Sequence, residues 1–412
     1  MTIIYAAPDV LGVPDDGIFG NAANTGEIDS PLTVAAAIAR NTYHIELKAG
    51  TYHGDESMVD IEDRDTFKFT GTDVLIDGEM DRKPFRVVNC HNYEFDIEWN
   101  CCNVGVGSEA VCTISGCTNG KIIGLGGWMD APAIYTDQDM KAIGVGLCID
   151  MEFGWCFGFG YARKAIELFR SIRVRVHHSW FRWDDWGSED GNRMAIAPYY
   201  RSYDNIVEDC MATCAGSFDP LITDPGHADR YGALIGDDAW DTIGGTPVDV
   251  WERLNDPTRD RWDTRIIIRR CMLYRFNPTR RIAGTQLRMT ADPVPGQYHE
   301  GNIVEDLSFH IEDHPGQNFT INGRGQGTVD NVFQTVETDL THTFDAAWDP
   351  LGNMVDAGLN TYGYYPRFPV AFLQRITDAV ATTVWDAPRF PDFRRQLPPM
   401  LGRFYKLKQV SL

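Results

Sequence analysis

Apolar positions along the chain fall in short runs of four to six residues, rich in Val, Ile and Phe and separated by Gly, Asn and Asp. That punctuation reads as many short strands joined by turns. Helical spacing occurs in two places only. Pro31 to Arg40 is apolar at Leu32, Val34, Ala35 to Ala37 and Ile38, with Ser30 as the expected N-cap. Phe368 to Trp385 carries Phe372, Ile376, Ala379 and Val384 at near-helical spacing.

Four strands share one pattern. They read Val176-His177-His178-Ser179-Trp180-Phe181, Val207-Glu208-Asp209-Cys210-Met211-Ala212, Ile268-Arg269-Arg270-Cys271-Met272-Leu273 and Val304-Glu305-Asp306-Leu307-Ser308-Phe309. Each sets an apolar residue before two polar ones, then a small or apolar residue. The starts lie 31, 61 and 36 residues apart. The middle gap has room for two turns of a coil, since Tyr231 to Ile235 reads as an extra strand. Repeats of this length predict a solenoid. Strand units with two polar residues at a bend predict a parallel β-helix. His44 to Leu47, Thr66 to Thr70, Tyr93 to Glu98, Lys121 to Leu125 and Ala165 to Phe169 are expected as further rungs. An irregular β-sandwich is the competing arrangement.

Composition narrows the class. The 412 residues carry 59 acidic and 37 basic side chains, a net charge of -22. Nucleic-acid coating is excluded, because it needs a strongly basic face. No apolar run reaches the roughly 18–20 residues of a membrane span. Met1 to Val10 show no secretory signal pattern. The ten cysteines contain no CxxC pair, which argues against a zinc ribbon and for buried, reduced thiols.

The N-terminal segment resembles the opening of pectate-lyase-like right-handed β-helices, a superfamily that includes phage tailspikes and polysaccharide lyases. The residues concerned are Asp15-Asp16-Gly17, the short apolar helix, and Ile45-Glu46-Leu47-Lys48-Ala49-Gly50-Thr51-Tyr52. The resemblance implies an all-β, right-handed parallel β-helix with an N-terminal helical cap and an irregular C-terminal tail. The expected units are a cap over 1–43, the coil over 44–344 with an insertion at 215–262, and a capping or oligomerising tail over 345–412. It also implies a polysaccharide partner and a virion or extracellular setting, with a homotrimer in the case of a spike. Two departures stand out: no separate particle-binding domain precedes the coil, and no long β-rich tail follows it.

If the four strands stack, their second positions form an outward column of His177, Glu208, Arg269 and Glu305. The third positions, His178, Asp209, Arg270 and Asp306, sit at a bend. In-register residues on adjacent rungs are about 4.8 Å apart. Carboxylates at such spacing suit glycoside hydrolysis. Arg beside His suits β-elimination from a uronate. An alternating-charge ladder that satisfies itself is the plain structural reading. The stretch from Trp180 to Asp190 holds three Trp and four acids. Trp183 and Trp186 would stack on sugar rings, and Asp184 and Asp185 would accept from hydroxyls. Its acids also invite Ca²⁺, although no EF-hand pattern is present and no cofactor is required. Arg173, Arg175 and Arg270 belong to basic clusters suited to an anionic polymer or to nearby acids. Asp184, Asp185, Glu208, Arg269 and His177 are therefore the expected reacting groups. Trp183, Trp186, Arg173, Arg175, Arg270 and Glu305 are the expected substrate contacts. The expected function is polysaccharide cleavage by a lyase or glycoside hydrolase. A non-catalytic spike or decoration protein and a fructotransferase-type enzyme are the alternatives.

Overall fold

The computed structural model describes residues 3–8, 24–28, 30–79, 82–103, 110–129, 141–160, 164–183, 193–199, 202–214, 232–239, 265–275, 285–291, 299–300, 303–311, 319–322, 328–329, 332–338, 342–344, 355–356 and 366–383. Among these residues every strand-to-strand ladder is parallel, and the strands gather into a 17-stranded sheet, a 10-stranded sheet and one two-stranded pair. The chain is a parallel β-helix. Each rung runs through a strand of the larger sheet, turns a bend, continues in a second strand of that sheet, then crosses to the smaller sheet.

The first-strand series climbs in register from Ile3–Ala6 through His44–Leu47, Asp65–Asp77, His91–Asn103, Thr118–Met129, Ile149–Gly154, Ile172–His177, Ile206–Glu208 and Ile267–Arg269 to Ile303–Ile311. Strand alternation sends every second side chain inward. Val174, Val176, Val207 and Ile268 are thus fully or almost fully buried in one continuous core. Lower rungs stack aromatics in the same way: Phe67 lies on Tyr93 and Phe69 on Phe95, each with ring centroids 5.0 Å apart.

The predicted strand positions hold. His44–Leu47 is a strand as expected, and the other expected rungs lie inside or along observed strands. Three expectations need correction. The 61-residue gap holds one turn, because Glu208 pairs directly with Arg269. The expected extra strand exists as Gly232–Ala239, yet it is the smaller sheet's strand between Arg193–Tyr199 and Thr285–Ala291. The first helix, α1 (Val34–Ala39), is capped by Thr33 rather than Ser30, its hydroxyl accepting from the Ala36 amide. Val34 and Ala37 of this helix join the core beside Ile45.

Cysteines line the inside of the bends. Cys90, Cys117, Cys148, Ser171 and Ser202 form one ladder, each donating to a carbonyl of the rung before it. Cys156, Cys210 and Cys271 form a second ladder with Ser179 among them. A small side chain with one donor fits the tight inner corner and reaches a carbonyl of the rung before it. Cys90, Cys101, Cys102, Cys112, Cys117, Cys148, Cys156, Cys210 and Cys271 are buried and free.

The second helix, α2 (Val370–Ala381), falls within the predicted helical stretch. It lies along the flank of the coil, not over its far end. Phe372, Ile376, Ala379 and Val380 pack with Trp128, Phe157, Phe159 and Trp180. Arg375 fixes the helix axially. Its guanidinium donates to the Trp99 carbonyl at 2.5 Å and to Asn100 Oδ1 at 2.9 and 3.0 Å, and it lies 5.1 Å from the Phe157 ring centre. Burial pushes the pKa of this group down to about 10.

Candidate functional site

The bend between the two strands of the larger sheet sets the site. On successive rungs Trp155, His178, Asp209 and Arg270 turn the corner with φ of 53, 50, 53 and 50°. Their amides hydrogen-bond the next rung up for the first three, at His177, Glu208 and Arg269. Left-handed backbone at one residue per rung is strained for a branched or bulky side chain and is held by the stack around it. The corner throws each of these side chains outward, in line. Asp73 occupies the same kind of corner lower down, with φ 57°, and Gly124 with φ 87°.

The predicted outward column exists in register: His177 pairs with Glu208, Glu208 with Arg269, and Arg269 with Glu305. Its chemistry is closed. Glu208 has 2% of its side chain exposed. It accepts from Arg175 Nε at 2.6 Å, Arg269 Nε at 2.7 Å and Arg270 Nη2 at 2.7 Å. Burial alone would raise its pKa, yet Arg269 and Arg175 overcome that and hold the carboxyl below its ordinary range. Arg270 also grips Asp209 at 2.7 and 3.0 Å. Arg173 is spent on Asp150 in a two-pronged pair of 2.6 and 2.8 Å, at the other end of its strand.

His177 stands in a relay. Glu152 Oε1 lies 2.9 Å from its Nε2, and its Nδ1 lies 2.9 Å from Nδ1 of His178. With Glu152 ionised, His177 donates from Nε2 and accepts at Nδ1 from His178. Gly154 makes the room, since a Cβ there would stand 2.5 Å from His177 Cε1. Burial lowers the His177 pKa, with Arg175 and His178 adding to the effect against Glu152. The His178 ring lies tilted by 32° against Trp155 with centroids 4.7 Å apart, and Trp155 meets Phe372 of α2 edge-on at 5.6 Å.

Of the remaining expected residues, Trp183 ends the strand Trp180–Trp183 and pairs with Cys214 by register. Asp184, Asp185 and Trp186 lie outside the described residues, as does most of the 215–262 insertion.

A second feature was not anticipated. A groove of about 1110 Å³ runs between α2 and the lower rungs. Its walls carry Glu46, Asp73, Asp96, Glu98 and Asp378, and Trp155 stands among the lining residues. Gly71 and Gly124 bare the backbone of its floor. Asp73 and Glu98 stand on adjacent rungs, because the residues after them, Val74 and Trp99, are paired. Asp73, Asp96 and Glu98 are exposed, and none makes an ion pair with a described residue. The signal for this corner was legible: Trp155-Cys156-Phe157 repeats the order of Asp209-Cys210-Met211 and Arg270-Cys271-Met272. Among the described residues no cluster of His, Cys, Asp and Glu is arranged to hold a metal ion.

No family model matches the chain. No curated protein matches it in sequence. Among solved structures the chain is similar to PfbA, a surface adhesin of Streptococcus pneumoniae, over 81% of this chain and 88% of that one, at 10% identity and a TM-score of 0.47. The β-helix assignment itself rests on strand register. No helix among the described residues is long and apolar enough to cross a membrane.

Proposed function

We propose that this β-helix protein binds a polysaccharide along the groove between α2 and the lower rungs and hydrolyses it there. The observation that supports this most is the contrast between two sets of carboxylates. Glu208 and Asp209 are saturated by arginine, whereas Asp73, Asp96 and Glu98 are exposed and free of described ion pairs in a long groove. Trp155 offers an apolar ring face to a sugar. Asp73 and Glu98 stand on adjacent rungs where the register shifts, and hydrolysis with retention would require their carboxyl groups to work about 5–5.5 Å apart. Elimination at the upper column is the weaker choice, because its arginines are already committed. The Trp–Asp loop that follows Trp183, with Asp184, Asp185 and Trp186, stays within the proposal as a neighbouring subsite.

The test is a panel of neutral, amino and uronic-acid polysaccharides, with reducing ends and ultraviolet absorbance of unsaturated products read together. New reducing ends without the absorbance, abolished in Asp73→Asn and Glu98→Gln, are expected. The absorbance rise would instead move the chemistry to His177 and Arg269. A second reading, a non-catalytic surface or virion protein, draws on the fully ion-paired column. Binding without turnover in every member of the panel would favour it.

A further inference from the structure

The Trp155 wall of the groove hangs on a pair of titratable rings. Trp155 lines the groove, and two rings touch it: His178, with centroids 4.7 Å apart, and Phe372 of α2 at 5.6 Å. His178 is tied to His177 by the 2.9 Å contact between their Nδ1 atoms, and His177 to Glu152 at 2.9 Å.

A bond between two Nδ1 atoms needs one proton on the line between them, no more and no fewer. The neutral pair supplies it from His178. A first added proton is accommodated at His178 Nε2, which makes no hydrogen bond among the described residues, and the bond survives. A second must go to His177 Nδ1. Two N–H groups on two like charges then face each other, and the bond becomes a repulsion. His177 has no room to yield. It is 7% exposed, and its ring sits on Gly154, where a Cβ would stand 2.5 Å from Cε1. His178 is half-buried and is the ring that leaves. Trp155 then keeps Phe372 as its one ring partner among the described residues.

The charges around the pair set where this happens. Glu152 on the rung below, and Glu208 and Asp209 on the rung above, favour added protons. Arg175 on the same strand and Arg269 and Arg270 on higher rungs oppose them and share Glu208 and Asp209. Lys121, paired with Glu152 from beneath, opposes them too. The charged residues of α2 are Arg375, bonded to Trp99 and Asn100, and Asp378, bonded to Gln374. Burial is the largest influence and holds the His177 pKa below its ordinary value, so the second proton arrives below about pH 6.5.

We infer that the Glu152–His177–His178 chain is an acid-sensitive latch on Trp155, which pins the ring at neutral pH and releases it when both histidines are charged. The consequence for a ligand rests on the groove reading above. A sugar stacked on Trp155 would lose that platform in acid, a weakening of about two- to tenfold.

The latch is read without any ligand, so a polysaccharide panel without binding would remove the groove reading and leave the latch standing. In deuterated protein carrying protonated His and Trp, Overhauser contacts between the His178 and Trp155 rings are followed from about pH 8 to about pH 4.5. His178→Asn and Trp155→Phe assign the two signals. The contacts should be strong at neutral pH and vanish with a midpoint below about 6.5, while the strand signal in circular dichroism holds. His177→Asn puts a carbonyl oxygen where Nδ1 stood. That oxygen accepts from His178 in either charge state, so the contacts should persist throughout. Glu152→Gln removes a carboxylate that favours the second proton, and should move the loss to lower pH. Contacts that survive in the native chain while both rings titrate overturn the latch. So does a loss that His177→Asn leaves unchanged, a midpoint that Glu152→Gln does not move, or a loss that coincides with unfolding.

Discussion

Replacing Glu208 with Gln separates a structural carboxylate from a reacting one. The native oxygen pair accepts three charge-assisted bonds, each 2.6–2.7 Å long, from Arg175, Arg269 and Arg270. Bonds to charged groups contribute about 1.5–3 kcal/mol each. The guanidinium groups keep 45, 33 and 32% of their side chains exposed, and Arg270 retains Asp209, so water and that partner recover part of the loss. A net destabilisation of about 2–4 kcal/mol follows, near the lower end for breaking a buried ion pair. Glutamine keeps one acceptor, but its NH₂ faces guanidinium donors. The sign with pH is fixed by the depressed carboxyl. Its contribution is present above the unfolded value of about 4.3 and is lost as pH falls through the folded one. Urea unfolding followed by circular dichroism should therefore show the deficit at neutral pH and little of it in acid. Long coils can unfold in parts, so amide exchange across Ile172–His177, Ile206–Glu208 and Ile267–Arg269 should be read alongside. A loss under about 1 kcal/mol, or an equal loss at both pH values, refutes the reasoning. Lost turnover with native stability would make Glu208 a reacting group after all.

Other outcomes follow from the same geometry. Gly124→Ala places a Cβ 1.7 Å from the Ile97 carbonyl at a φ of +87°, and should cost about 2–4 kcal/mol in denaturant unfolding. Gly154→Ala should push His177 off Glu152, which a shifted His177 resonance would report. In the native chain, NMR titration should place the His177 midpoint below about 6.5, so stability from its neutral form is whole above that pH and declines below it. Arg375→Ala should loosen α2 and expose it to protease while the strand signal in circular dichroism stays unchanged. The nine buried cysteines, Cys214 not among them, should react with a thiol reagent only after unfolding.

The rung rhythm was readable because the coil repeats one demand at one position. Val, two polar residues and a small corner residue recur wherever a strand meets the bend, so His177, Glu208, Arg269 and Glu305 were aligned correctly from letters alone. What failed was neighbourhood. Strand spacing shows that Glu208 faces out, but not that three guanidinium groups close over it from the rungs below and above. Arg175 reaches it from two residues before the column, a diagonal that stacking one motif on another does not reveal. The groove was missed for a different reason. Its wall is α2, whose contact with Trp99 and Asn100 joins residues some 275 positions apart, and no local pattern encodes that. The floor is not legible in the sequence because the lower corners carry Asp73 and Gly124 rather than the polar pair of the upper rungs. Asp184, Asp185 and Trp186 lie outside the described residues.

Glu208 and Arg269 touch across one rung although 61 residues separate them in the chain. The same step from His177 to Glu208 takes 31 residues. The coil is thus indifferent to how much polypeptide is paid out between two corners. Closing a longer excursion adds entropy cost only logarithmically, about 0.6 kcal/mol per doubling. Such a scaffold works as a rack with open slots. Foreign segments spliced between Cys214 and Gly232, or between Ala239 and Arg265, should leave the strand register intact, and new surface chemistry can be acquired there one excursion at a time while the ladder beneath stays the same.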